Sequence, residues 1–161
     1  MIYSNACSYA IRAMTRLALL RPDGYVLLDE VCEGSNLPRH FVAKIFQDLV
    51  RKELLISAKG RGGGFALARD LSQITLYEIV AIIDGTDQFD RCVVGMAMCD
   101  DSQPCPQHDQ FKSVRAHIKK FLSETTLEQM ADTLGRKLDM IGQQLASPKS
   151  KSKPMNLPPY T

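Results

Sequence analysis

A mostly α-helical fold carrying one small β-hairpin is what the sequence predicts, and three observations predict it. Apolar residues recur at helical spacing through most of the chain. The period changes once, in "LLISAKGRGGGFALARD", where two short apolar runs flank a glycine-rich turn. The helical period then returns from about Asp109. A length of 161 residues suits one domain, or one small domain plus an oligomerisation arm.

The first helix is expected from about Asn5 to Leu20 with Ser4 as its cap, because Ala10, Ala13, Met14, Leu17 and Ala18 share a face. Pro22, Asp23 and Gly24 break it. A short second helix follows near Leu28 to Glu33, ended by Gly34. In "SNLPRHFVAKIFQDLVRKELL", Pro38 sits where a first helical turn tolerates it. Val42, Ile45, Phe46 and Leu49 make the buried face of this third helix, and Arg39, His40, Ala43, Lys44 and Gln47 make a small or polar one. Leu55 to Lys59 and Phe65 to Ala68 read as strands joined through Gly60, Arg61, Gly62, Gly63 and Gly64. Thr75 with Glu78 forms a capping box for a helix through Ile79, Ile82 and Ile83 that Gly85 closes. After an irregular segment, Phe111, Val114, Ile118, Phe121 and Leu122 form an apolar stripe. Thr126 with Gln129 caps another helix, in which Leu127, Leu134 and Ile141 lie seven apart with Met130, Ala131, Leu138 and Leu145 between them. That spacing is heptad-like, over too few heptads to assure a coiled coil. The tail from Ser147, "SPKSKSKPMNLPPYT", has the composition of a disordered segment.

No apolar run approaches the roughly 20 residues that span a membrane, and "MIYSNACSYAIRAM" lacks a secretory pattern. A cytoplasmic protein with no membrane partner is expected. Thiols stay reduced there, so its five cysteines point to metal or redox chemistry before disulfides. Net charge is only +2, but it is unevenly spread. Arg39, Lys44, Arg51, Lys52, Lys59 and Arg61 face only Asp48 and Glu53 in their stretch, whereas Asp84, Asp87, Asp90, Asp100 and Asp101 outweigh Arg91 in the cysteine segment. The first region suits a polyanion.

Three helices followed by a hairpin make a winged helix-turn-helix. A helix fits the major groove of B-DNA, so Arg39, His40, Ala43, Lys44 and Gln47 form the expected reading face. Lys59 and Arg61 would reach phosphate or the minor groove from the wing, where flanking glycines allow close approach. The glycine run is not a phosphate loop, because no GK[ST] follows.

"RCVVGMAMCDDSQPCPQHDQ" has the spacing Cys92-x6-Cys99-x5-Cys105-x2-His108. It contains no C-x2-C knuckle of the zinc-finger or thioredoxin kind. Three thiolates in a long loop suit an iron–sulfur cluster, with imidazole able to replace a thiolate at one iron. Zinc and unliganded thiols stay open on the residues alone.

Taken together, "YAIRAMTRLAL", "LPRHFVAKIFQDLVRKELLIS", "KGRGGGFAL" and the three-cysteine loop resemble the IscR/NsrR-type iron–sulfur transcription regulators, dimeric winged-helix repressors and activators. The resemblance covers Met1 to Glu124. It implies a 2Fe–2S or 4Fe–4S cluster near a dimer interface, and pairing of the helix that starts near Asp109 with its copy. Two departures stand out. The first cysteine gap is x6 where x5 is common in the family. The nitric-oxide-sensing branch completes its cluster with a first-helix carboxylate, and "NACSYA" has Ser8 and none. The IscR branch uses a histidine just beyond the third cysteine, the place of His108, which favours His108 over Cys7 as fourth ligand. Cys7 and Cys32 otherwise read as packed small residues, and His117 as an interface or surface residue.

The expected protein is thus a cytoplasmic homodimer that binds double-stranded operator DNA under the control of an iron–sulfur cluster, 2Fe–2S favoured, sensing redox, nitric oxide or iron–sulfur status. Its expected divisions are a winged helix-turn-helix domain at 1–84, a cluster loop at 85–108, a long dimerisation helix and its successor at 109–146, and a disordered tail at 147–161. Not an enzyme is the reading taken. Two rivals remain on the residues: a cysteine-dependent oxidoreductase or hydrolase using Cys105 with His108, and a regulator whose thiols are oxidised without metal.

Overall fold

The structure, a computed structural model, describes residues 2–20 and 24–142. Pro22 and Asp23, Leu145 and the tail from Ser147 lie outside the described residues. Among the described residues, six α-helices and one antiparallel hairpin follow in the order α1 (Asn5–Leu20), α2 (Leu28–Cys32), α3 (Arg39–Arg51), β1 (Leu55–Ala58), β2 (Gly64–Leu67), α4 (Leu76–Ile83), α5 (His108–Glu124) and α6 (Leu127–Met140). Boundaries differ from the expected ones at α2, at both strands and at α5. α2 ends at Cys32 with Glu33 as its cap. Both strands lie one residue earlier at their far ends, because Leu55 pairs with Leu67 and Ala58 with Gly64. α5 begins at His108, so that histidine belongs to a helix's first turn and not to the loop.

α1 is the centre of the core. The Ser4 hydroxyl accepts from the Cys7 amide at 3.1 Å, as an N-cap does. Cys7, Ala10, Ala13, Met14 and Leu17 are fully buried against α3, α4 and α6. Val42, Ile45, Phe46 and Leu49 are the buried face of α3, as the spacing predicts. Phe46 meets Phe65 of β2 edge-on at 5.0 Å, which fixes the hairpin against α3. Val26 adds a third short rung to the hairpin by exchanging two backbone hydrogen bonds with Phe65, at 2.8 and 2.9 Å.

The capping boxes at Thr75/Glu78 and Thr126/Gln129 both form. A backbone bridge joins them: Leu76 N donates to Thr125 O at 3.0 Å and Leu127 N to Ile74 O at 2.8 Å. The apolar stripe of α6 is consumed inside the chain, where Leu127, Ala131, Leu134 and Leu138 are buried and the helix lies along α1. Ile141, the third heptad position, is exposed. The stripe of α5 behaves otherwise. Only Leu122 is buried, while Val114 and Phe121 are 47% and 50% exposed. No helix among the described residues is long and apolar enough to cross a membrane.

Candidate metal centre and nucleic-acid interface

The cysteine segment hangs between two anchors. Short 3-10 turns at Leu71–Gln73 and Asp87–Phe89 were not legible from periodicity. The second plants Phe89 in the core, where it stacks on Tyr77 of α4 at 6.1 Å. Asp90 pairs with Lys119 of α5 at 2.8 Å, and Arg115 Nη2 donates to the Arg91 carbonyl at 3.1 Å. From there the loop runs exposed through Val93, Val94, Met96 and Met98 and returns at Cys105, which is buried.

The three sulfurs of Cys92, Cys99 and Cys105 lie within 4.8 Å of one another. Cys92 Sγ and Cys105 Sγ are 3.6 Å apart. His108 Nδ1 is 3.1 Å from Cys99 Sγ, and its side chain is only 10% exposed. The four residues singled out by spacing therefore share one site. The thiols are not equivalent. Chiefly the Met96 amide, with the Val94 amide and the neighbouring thiols, lowers Cys92 to about 7 against desolvation. The Cys105 amide works in the same direction on Cys99, but burial and the Cys105 and Cys92 thiols outweigh it and raise that group. Gathering three ionisable thiols so closely is unfavourable once they deprotonate, unless a cation joins them.

Cys7 stands elsewhere. It is fully buried on α1, and burial, with Asp84 nearby, pushes its thiol up to about 12. Cys32 is half-buried against the core. His117 is exposed on α5, with Nδ1 at 2.8 Å from the Ser113 carbonyl.

On α3, Arg39, His40, Lys44 and Gln47 are exposed and Ala43 is half-buried. Arg39 is engaged by Asp29 of α2. Phe41, which the sequence reading assigned to neither face, is also exposed and lies against the rings of His40 and Tyr9. The wing tip holds Lys59 and Arg61 in the open, with Gly60 and Gly62 at positive φ. Gly64 is required for packing: a Cβ there would stand 2.3 Å from the Val26 carbonyl oxygen.

Two residues at the site carried no signal in the sequence. Asp101 accepts from His108 Nε2, and Lys112 of α5 holds Asp101. Asp101 was legible only as one of several acids in an acidic stretch, and the loop's turn alone brings it to α5.

Residues 3–133 match the family described as Rrf2, iron-dependent transcriptional regulator. A protein of Aquifex aeolicus (strain VF5), named only as an HTH-type transcriptional regulator, is 30% identical over 132 residues, spanning 81% of this chain and 91% of its own. The HTH-type transcriptional regulator IscR of Photorhabdus laumondii subsp. laumondii is 29% identical over 136 residues, spanning 84% of this chain and 82% of its own. Among solved structures, CymR, the global cysteine regulator of B. subtilis, superposes with a TM-score of 0.68 at 24% identity, over 81% of this chain and 95% of its own. That likeness shows the fold, a winged helix-turn-helix with α2 and α3 as its helix pair and β1–β2 as its wing.

Proposed function

The chain belongs to the Rrf2 family of DNA-binding transcription regulators, and from that premise we propose that it acts as a homodimer whose operator affinity is set by an iron–sulfur cluster on Cys92, Cys99, Cys105 and His108. One observation carries the reading: three sulfurs within 4.8 Å, with an imidazole nitrogen 3.1 Å from one of them. The relatives regulate transcription, so Cys105 and His108 are not read as a catalytic pair.

The donor set fits such a group on its chemistry. Thiolates are the usual ligands of iron–sulfur clusters, and histidine replaces cysteine in some. When bound, a 2Fe–2S or 4Fe–4S cluster supplies a redox-active centre able to sense redox state, nitric oxide or iron–sulfur status. The chain's own residues link that centre to DNA. Phe89 and Tyr77 join the loop to α4, and Asp84 at the end of α4 accepts from the Ser4 amide at 2.7 Å at the start of α1. Lys119 and Arg115 join the loop to α5. We assign the exposed Val114–Phe121 face of α5 to the second copy. Residues 1–84 then serve as the DNA-binding unit, 85–108 as the sensor and α5 as the dimerisation helix, with α6 packed back on α1, and with Arg39, His40, Ala43, Lys44 and Gln47 reading bases and Lys59 and Arg61 at the wing. Coupling requires the cluster to favour one dimer arrangement over another.

Protein purified without oxygen should be brown and contain iron and acid-labile sulfide. Cys92→Ala, Cys99→Ala and Cys105→Ala should each remove both and leave a folded dimer. Colourless protein with one zinc per chain would refute the proposal. The 3.6 Å approach of Cys92 and Cys105 favours a second reading, a metal-free switch in which peroxide oxidises the two thiols to a disulfide and is reduced to water. Iron-free protein whose operator affinity changes on such oxidation would select it.

A further inference from the structure

We propose that Asp101, anchored by Lys112, is a positioning residue for the cluster site: it holds the His108 ring with Nε2 outward and Nδ1 toward the cysteines, and so decides which nitrogen serves as ligand. The inference rests on the reading of His108 as fourth ligand. His108 Nε2 lies 3.0 Å from Asp101 Oδ1. Lys112 Nζ lies 2.6 and 2.8 Å from the two Asp101 oxygens. An ionised carboxylate can only accept, so Nε2 carries the proton and donates it. In a neutral imidazole the lone pair is then on Nδ1. Nδ1 is the atom that stands 3.1 Å from Cys99 Sγ. The tautomer that Asp101 selects is the one a metal at the cysteines requires.

Helix and loop geometry supply the rest. His108 and Lys112 are one turn apart on α5, so the helix itself sets the spacing between ring and ammonium. On the loop side, Asp100 Oδ1 accepts from the Ser102 amide at 2.8 Å, the Ser102 hydroxyl at 2.6 Å and the Gln103 amide at 2.9 Å. That turn leaves the next carboxylate, Asp101, facing α5. The side chains of Asp101 and Lys112 are 73% and 59% exposed, so their ion pair contributes little to folding. Its effect is therefore on the ring, and variants of either residue should stay folded.

The test has two measurements on the full chain with ¹⁵N-labelled histidine rings. In cluster-free protein at a pH where His108 is neutral, ring NMR should show it protonated on Nε2, and Asp101→Ala should give a mixture of tautomers. In the loaded protein, a carboxylate on Nε2 makes the ring a more basic ligand. Asp101→Ala should then raise the reduction potential and speed cluster loss by about 10-fold, the lower end of the effect of removing such a partner. Lys112→Met should act in the same direction and more weakly. Wild-type tautomer, potential and loss rate in Asp101→Ala, with His108→Ala altered in all of the cluster's properties, would overturn the proposal alone. His108→Ala with an unchanged cluster would overturn it together with the ligand assignment it rests on.

Discussion

Replacing Arg16 by methionine should weaken the tie between α1 and the helix-turn-helix by an amount that can be worked out. Arg16 is a charged residue inside the core, 3% exposed. Its Nε donates to the Val31 carbonyl at 2.7 Å and its Nη2 to the Glu33 carbonyl at 2.6 Å. Both acceptors lie at the C-terminal end of α2, where a cation is favoured. Methionine keeps most of the apolar stem and removes both bonds. Hydrogen bonds from a charged donor contribute roughly 1.5–3 kcal/mol each. Part of that loss is offset because a buried guanidinium no longer has to be desolvated. The net loss should be about 2–4 kcal/mol by these principles. In a chain of 161 residues, each kcal/mol moves Tm by about 2–4 °C, so the melting point should fall by roughly 4–16 °C. Thermal unfolding followed by circular dichroism reads this directly. Operator affinity should also fall at temperatures where the variant is folded, because α2 sets the pose of α3. A Tm within about 2 °C of wild type would refute the reasoning and show that α2 is held by other contacts.

The wing glycines should separate by position. Gly64→Ala, blocked by the Val26 carbonyl at 2.3 Å, should cost about 1–3 kcal/mol or more and abolish operator binding, whereas Gly62→Ala, with open space around it, should cost about 1–2 kcal/mol in urea unfolding. In cluster-free protein, alkylation of Cys92 should reach half its maximal rate near pH 7 and slow below it as the thiolate is protonated, while Cys7, at about 12 and buried, should stay unmodified. The double change Val114→Lys and Phe121→Lys should yield monomers by sedimentation and leave the α6–α1 packing intact. Lys44→Ala should lower the salt slope of operator binding by about one unit if it meets phosphate, or relax one base position if it meets a base.

Much of this was legible because local chemistry and tertiary structure agree. The caps at Ser4, Thr75 and Thr126 form as written, and the 3.6-residue spacing of Val42, Phe46 and Leu49 marks the core face of α3. The three cysteines and His108 stand out together in the sequence, the resemblance favours His108 over Cys7 as fourth ligand, and the four share one site. What spacing could not supply was partnership. The α6 stripe reads equally well as a seam for a second copy, and only the fold shows it spent on α1. Phe89 and Asp101 lie in a segment without period, so nothing local marks one as a core anchor and the other as a partner for His108. His108 itself reads as part of the loop at 85–108, because the helical pattern is readable only from about Asp109, although the helix starts at His108.

Cluster-controlled DNA binding is tested most directly by operator affinity, measured without oxygen on one preparation before and after the cluster is removed. The same dimer should bind the same operator with affinities differing by roughly 5- to 150-fold, the range of a coupling energy of about 1–3 kcal/mol, and Cys92→Ala should match the cluster-free value. Equal affinities for loaded and cluster-free dimer would contradict it and leave oxidation of Cys92 and Cys105 as the remaining regulatory reading of the loop.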